Sequence, residues 1–414
     1  MNRIQRSGRH MANWVWLLCA LSAEPVAQAA NESPMGVVEE SAASAERVGV
    51  HYKVLHSFNH TDGANPLSPP ILGSDGKIHG VTMFGGPEGA GTAFRMTLAG
   101  QLTVLHDFDE YTVSHPWSLM QNRNGDYYGT SWESNFHQPG AVFRMKPNGQ
   151  VTRMLQLSTC GPPGSLLQLD SGEMIGAGGV GCIFHMTPWL RIKVLHEFTA
   201  DEGVALNALM QGPSGAIYGT ARSGGPHDQG TAFKMTLDGA LNVLHVFGGD
   251  PTEGTHPSSG LVLGTDGNWY GTTSGGGAYG LGTLYRLGPA GEATVLHSFA
   301  GGPHDGSHPG ELLLGRDGHL YGTSYNGGRH DCGIAYSATL DGAITLLHAF
   351  GPILLDGANP VGLIEVGDGE FFGTTFAGGV GDGYGAVFRL RTQAKVTAHA
   401  QTHQAVSAAR IVSP

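Results

Sequence analysis

Along most of the chain, short runs of alternating apolar and polar residues are interrupted by glycine-bearing turns. Gly260–Phe299 (GLVLGTDGNWYGTTSGGGAYGLGTLYRLGPAGEATVLHSF) shows the pattern in full. Its runs, about Leu261–Gly264, Trp269–Thr273, Thr283–Leu287 and Ala293–Phe299, are separated by Asp266-Gly267, a glycine-rich loop and Pro289-Ala290-Gly291. Alternation rich in Val, Leu, Tyr and Thr predicts strands, and tight turns containing Gly, which supplies positive φ, predict antiparallel hairpins. The unit therefore reads as a four-stranded meander. A helical reading fails because no 3.6-residue period runs through it.

The unit recurs. Val-Leu-His-x-Phe stands at Val54–Phe58, Val104–Phe108, Val194–Phe198, Val243–Phe247 and Val295–Phe299, with Leu346–Phe350 a close variant and Met154–Ser158 a decayed copy. Successive starts lie 50, 50, 40, 49, 52 and 51 residues apart. A period near 50 with four strands per unit describes a propeller blade. The first three strands occur seven times, beginning near Ile71, Ser118, Leu166, Ala208, Gly260, Glu311 and Gly362. The histidine strand also occurs seven times, but it starts ahead of the first set and is missing after the last. Pairing Val54–Phe58 with the strand near Ala386–Leu390 closes the ring and leaves no open edge. The expected fold is all-β, a seven-bladed β-propeller of four-stranded antiparallel blades over residues 48–391, closed by the N-terminal strand.

Composition agrees and narrows the function. Glycine is 67 of 414 residues, far above ordinary usage, which suits turns and not helix interiors. The net charge is −12 with 22 Lys and Arg, so the chain is not expected to bind nucleic acid. Residues 1–29 read as a secretory signal: Arg3, Arg6 and Arg9, an apolar run Trp14–Leu21, and the small-residue site Ala27-Gln28-Ala29. Leu18 before Cys19 speaks against a lipid anchor, and no later run is long enough to span a bilayer. Residues 30–47 read as a linker and 392–414 as a disordered tail. The expected location is outside the cytoplasm, whether extracellular, on the cell surface or periplasmic. There disulfides persist, and Cys160 and Cys182 flank one short unit, where they could form a bridge or remain buried thiols.

Val-Leu-His-Ser-Phe, Asp-Gly-Ala-Asn-Pro (Asp62–Pro66 and Asp356–Pro360), Asp-Gly-Asn-Trp-Tyr-Gly-Thr-Thr and the Gly-Gly-Gly loop resemble the GloVer tandem repeat of exported "choice-of-anchor" bacterial proteins. The resemblance spans nearly the whole chain after the signal. It implies export and repeats and brings no established activity; the tail lacks the apolar anchor often found in that family. The Asp-Gly-x-aromatic turn is also similar to that of streptogramin-lyase-like propellers.

What recurs in every unit is most simply scaffold, and what departs from the repeat is a candidate for function. His56, His106, His196, His245, His297 and His348 hold one repeated place and are expected to hydrogen-bond a neighbouring strand or blade. Thr130, Thr220, Thr272, Thr323 and Thr374 of the Tyr-Gly-Thr run fall under the same reading. The long glycine-rich loops and the links between units share one face of the disc, where binding residues are expected. There the candidates are Glu110, Tyr111, Trp117, Trp132, Glu133 and His137, aromatic faces beside carboxylates that suit a sugar or an apolar cyclic ligand with polar edges. The pairs His227-Asp228, His304-Asp305 and His330-Asp331 could serve as acid and base or bind a cation. The shortened third unit opens a notch in the rim or reflects drift. No complete catalytic motif, metal site or cofactor fingerprint is present, so no cofactor is expected. The reading is an exported binding module for a glycan or a surface protein, with a carbohydrate-active hydrolase or lyase on the same face as the alternative.

Overall fold

The computed structural model describes residues 49–392 apart from 135–137, 158–159, 162, 251, 352–355 and 382. The expected signal segment, linker and tail (393–414), and His137 among the candidate residues, lie outside the described residues.

Seven antiparallel sheets form a seven-bladed β-propeller. Blade 1 runs from Ile71 to Asp107, blade 2 from Val113 to Gln156 and blade 3 from Pro163 to Glu197. Blade 4 covers Val204–Val246, blade 5 Gly254–Ser298 and blade 6 Gly306–Ala349. Blade 7 takes three strands from Gly357–Arg391, and its fourth and outermost is His51–Ser57. That strand pairs antiparallel with Ala386–Arg391, with Val54 opposite Phe388. The ring is thus closed by the N-terminal strand, as the displaced histidine repeat predicts.

The repeat's conserved chemistry explains how blades join. Thr130, Thr220, Thr272 and Thr374 each donate a hydroxyl across to a carbonyl in or beside the next blade's first strand, at 2.7–3.0 Å. The preceding glycine lies under an aromatic ring of the third strand. A Cβ on Gly129 would stand 2.2 Å from Phe143 Cζ, which is why the run is Tyr-Gly-Thr and not Tyr-Ala-Thr. The Phe of each histidine motif packs on that same aromatic of the following blade, as Phe108 does on Phe143 (centroids 5.1 Å) and Phe247 on Tyr285 (5.1 Å). These buried pairs make the core a belt between blades rather than a centre.

One boundary differs from the sequence reading. The first strands of blades 2, 6 and 7 begin at Val113, Gly306 and Gly357, several residues before the positions expected. The extra length precedes a bulge at Pro116, Pro309 and Pro360, where proline brings no N–H to the ladder and the register shifts. What reads as a link is therefore partly strand.

Candidate functional site

The repeated histidines are held by the segment that leads into the next blade. His56 Nε2 lies 3.0 Å from Asp62, His196 3.2 Å from Glu202, His245 2.5 Å from Glu253, His297 3.0 Å from Asp305 and His348 3.0 Å from Asp356. Burial alone would raise the Asp305 carboxyl, but His297 and the N–H groups of Ala300 and Gly306 outweigh it and hold its pKa below the usual range. Asp305 is therefore engaged by this clamp and does not pair with its sequence neighbour His304. His106 makes no such bond among the described residues: the link after it carries Thr112 where Asp62 stands in the first, and burial lowers the imidazole's pKa.

At the junction before blade 3 the histidine has become Gln156, and the clamp is covalent. Cys160 in the link and Cys182 at the start of the third strand form a disulfide across 22 residues. The shortened loop of this blade, 179–181, lies directly beside it.

The loop acids are also committed locally. Asp228 accepts the Gly224 N–H at 2.9 Å and Asp331 the Gly327 N–H at 2.7 Å, both from a residue with φ of 54°. His227 and His330 beside them are exposed, as are Glu110 and Tyr111. The structure brings Trp117 and Trp132 together, with ring centroids 6.0 Å apart. They lie on the first and second strands of a single blade and not in loops of adjoining blades, because the first strand starts earlier than its pattern indicates. Glu133 follows on the same strand.

Two positions at the loop-face end of the first and second strands were not singled out from the sequence. The residue before the first-strand proline is left-handed in every described case: Asn65, His115, His256, His308 and Asn359 have φ of 53–56°. Each donates its N–H to a loop carbonyl of the preceding blade, as His256 does to Gln229 (2.8 Å) and His308 to Leu281 (2.8 Å). Asn65 and Asn359 add a side-chain amide bond to the carbonyls of Phe376 and Tyr325. Burial lowers the pKa of both His256 and His308.

The second position lies three residues after the second-strand glycine that pairs with the third-strand aromatic. By register it is filled by Met83, Trp132, Gly179, Arg222, Ser274, Tyr325 and Phe376 in blades 1 to 7. Arg222 is the one charged residue of that set. Deeper along the first strands, Glu311 occupies a place given to Ser118, Gly260 or Gly362 elsewhere. Its surroundings are the first strands of blades 5 and 7, and burial pushes its carboxyl up to about 7 against a favourable Gly260 N–H. Among the described residues, no group of three or more His, Cys, Asp or Glu is placed to hold a metal ion.

Comparison with known proteins adds a family and a fold. A family model described as the Gloeobacter/Verrucomicrobia repeat matches residues 41–177 and 173–388. No curated protein matches the chain by sequence. Among solved structures, a catalytically inactive variant of virginiamycin B lyase from Staphylococcus aureus with quinupristin is similar at 13% identity, over 83% of this chain and 99% of that one, with a TM-score of 0.59. A streptogramin B lyase is similar at 13% identity, over 83% of this chain and 98% of that one, also with a TM-score of 0.59. At such identity the likeness is one of fold.

Proposed function

The chain belongs to the Gloeobacter/Verrucomicrobia repeat family, and from that premise we propose that it is an exported binding module that holds a glycan on the loop face, at the mouth of the central channel. The carrying observation is the Trp117–Trp132 pair. Both rings are half-buried, leaving part of their surface to solvent, at positions where other blades carry Gly310, Ser274 or Val361. Paired indoles without a scaffold counterpart suit stacking on the apolar face of a sugar ring. Export rests on the basic, apolar and small-residue order of residues 1–29.

Binding is favoured over hydrolysis because the loop acids are committed or dispersed, with only Glu110 and Glu133 sharing a blade. Glu110 precedes blade 2, Asp228 belongs to blade 4 and Asp331 to blade 6, and the last two are engaged by backbone N–H groups. Glycoside hydrolysis needs two carboxyls within about 5–10 Å of each other. A glycan array probed with the purified protein, followed by titration of the hits and product analysis, tests both readings. Binding without product, weakened at least tenfold by Trp132→Ala with the melting temperature unchanged, is the expected result. Product formation would overturn the binding reading, and indifference to Trp132→Ala would remove its site.

A further inference from the structure

We propose that the sugar taken at the channel mouth carries a carboxylate, anchored by the Arg222 guanidinium with His256 and His308 beside it. This deepens the glycan-binding reading and rests on it.

Arg222 is not required by the scaffold, since six blades fill its place with Met83, Trp132, Gly179, Ser274, Tyr325 and Phe376. Its guanidinium is largely surrounded by protein, and among the described residues it has neither a hydrogen bond nor an ion pair. A desolvated charge without a partner is costly, and such groups are nearly always paired. Arg144 shows what a structural arginine does in this same protein. It donates to Asp126 from Nε at 2.7 Å and again from its terminal nitrogen, while its plane lies over Trp189, 5.7 Å from the centroid. Arg222 has no equivalent, so its five donors are available to something that the chain itself does not supply.

The surroundings favour an anion. The charge of Arg222 acts on both His256 and His308, and it lowers their pKa further below what burial alone does. The opposing acids are Asp228, whose charge acts on His256, and Asp331, whose charge acts on His308; each caps a glycine N–H of its own loop. A local cation is therefore maintained in a chain whose net charge is −12. A planar fork of N–H donors matches a carboxylate in two parallel hydrogen bonds. Trp132 occupies the same register two blades away, which supplies an aromatic surface at the level of the cation. Neutral at pH 7, the two imidazoles exchange hydrogen bonds with sugar hydroxyls; protonated, they add charge of the sign that an anion prefers.

The test is calorimetric titration at low salt with trigalacturonate, its methyl ester and sialyllactose, on the wild type and on Arg222→Met, Arg222→Lys and Trp132→Ala. Circular dichroism and melting confirm the fold of each variant. The expected result is binding of at least one carboxylate-bearing probe, at least tenfold stronger than of an uncharged counterpart. It should be lost in Arg222→Met, partly kept in Arg222→Lys, and stronger at pH 5.5 than at pH 8. Which acid binds distinguishes a uronate from a sialic acid. Equal affinity for acid and ester, or full binding by folded Arg222→Met, would overturn the inference; if Trp132→Ala still weakened binding, the glycan reading would stand. Absence of binding to charged and neutral sugars alike would overturn both.

Discussion

Two kinds of clamp tie most of the blade junctions in this ring, and they differ in chemistry while doing the same mechanical work. Where the repeat is intact, as between blades 5 and 6, an imidazole on the outer strand is tied to a carboxylate in the link, His297 to Asp305. Between blades 2 and 3 the imidazole has become Gln156, and Cys160–Cys182 ties the link to the blade instead. Drift in one unit is tolerable because a covalent tie stands in for an electrostatic one. The first needs an oxidising compartment, and the second needs an ionised carboxylate.

Breaking the covalent junction should have the largest effect. Opening a loop of 22 residues by Cys160→Ser with Cys182→Ser is expected to cost about 3 kcal/mol in urea unfolding, and reducing agent should destabilise the wild type but not the double variant. A second large effect belongs to the innermost strands, where Glu311 departs from the small residues of other blades. Its folded pKa of about 7 lies above the ordinary 4.5, so the stabilisation of its protonated form is present at low pH and lost as pH rises through 7. The difference between the two values is worth about 3 kcal/mol at most. Melting between pH 5 and 8 should fall for the wild type and stay flatter for Glu311→Gln.

The electrostatic junction should be weaker. His297→Gln is expected to cost about 1 kcal/mol, since Asp305 keeps its two backbone donors. The Asp305 pKa is depressed in the fold, so its contribution holds above the unfolded value near 4 and is lost as pH falls below it. An acid titration of stability should therefore be less steep in the variant. The smallest effect sharpens the contrast by repair. Thr112→Asp would give His106 the carboxylate that Asp62 gives His56, and a gain of about 0.5 kcal/mol is expected, visible as a raised melting temperature.

The same contrast explains what the sequence discloses. Scaffold chemistry is written in nearly every unit, so the Tyr-Gly-Thr run, the hairpin glycines and the displaced histidine strand are enough to count blades and close the ring. The site is written once. Arg222 departs from the repeat as plainly as Trp132 does, but it lies inside a strand, and only the pairing register reveals that it shares a level with Met83 and Phe376. His256 and His308 are harder still. A residue before proline ordinarily avoids helical geometry and is extended, yet here it is left-handed, a choice made by the preceding blade's carbonyl. Such a tertiary choice leaves no local mark. The loop pairs His227-Asp228 and His330-Asp331 stand out for an opposite reason: Asp favours turns, and in these loops turn-building is what its carboxylate does.

Ring closure also sets an order of events. His51–Ser57 is the earliest-made strand of the propeller, and its partner Ala386–Arg391 is the latest. Six blades can assemble from neighbouring sequence as they appear, whereas the seventh must bring together segments more than 300 residues apart, the slowest kind of contact to form. Until then the first strand remains an unpaired edge, and its outward His51 and Lys53 are the sort of residues that discourage a wrong partner during that wait.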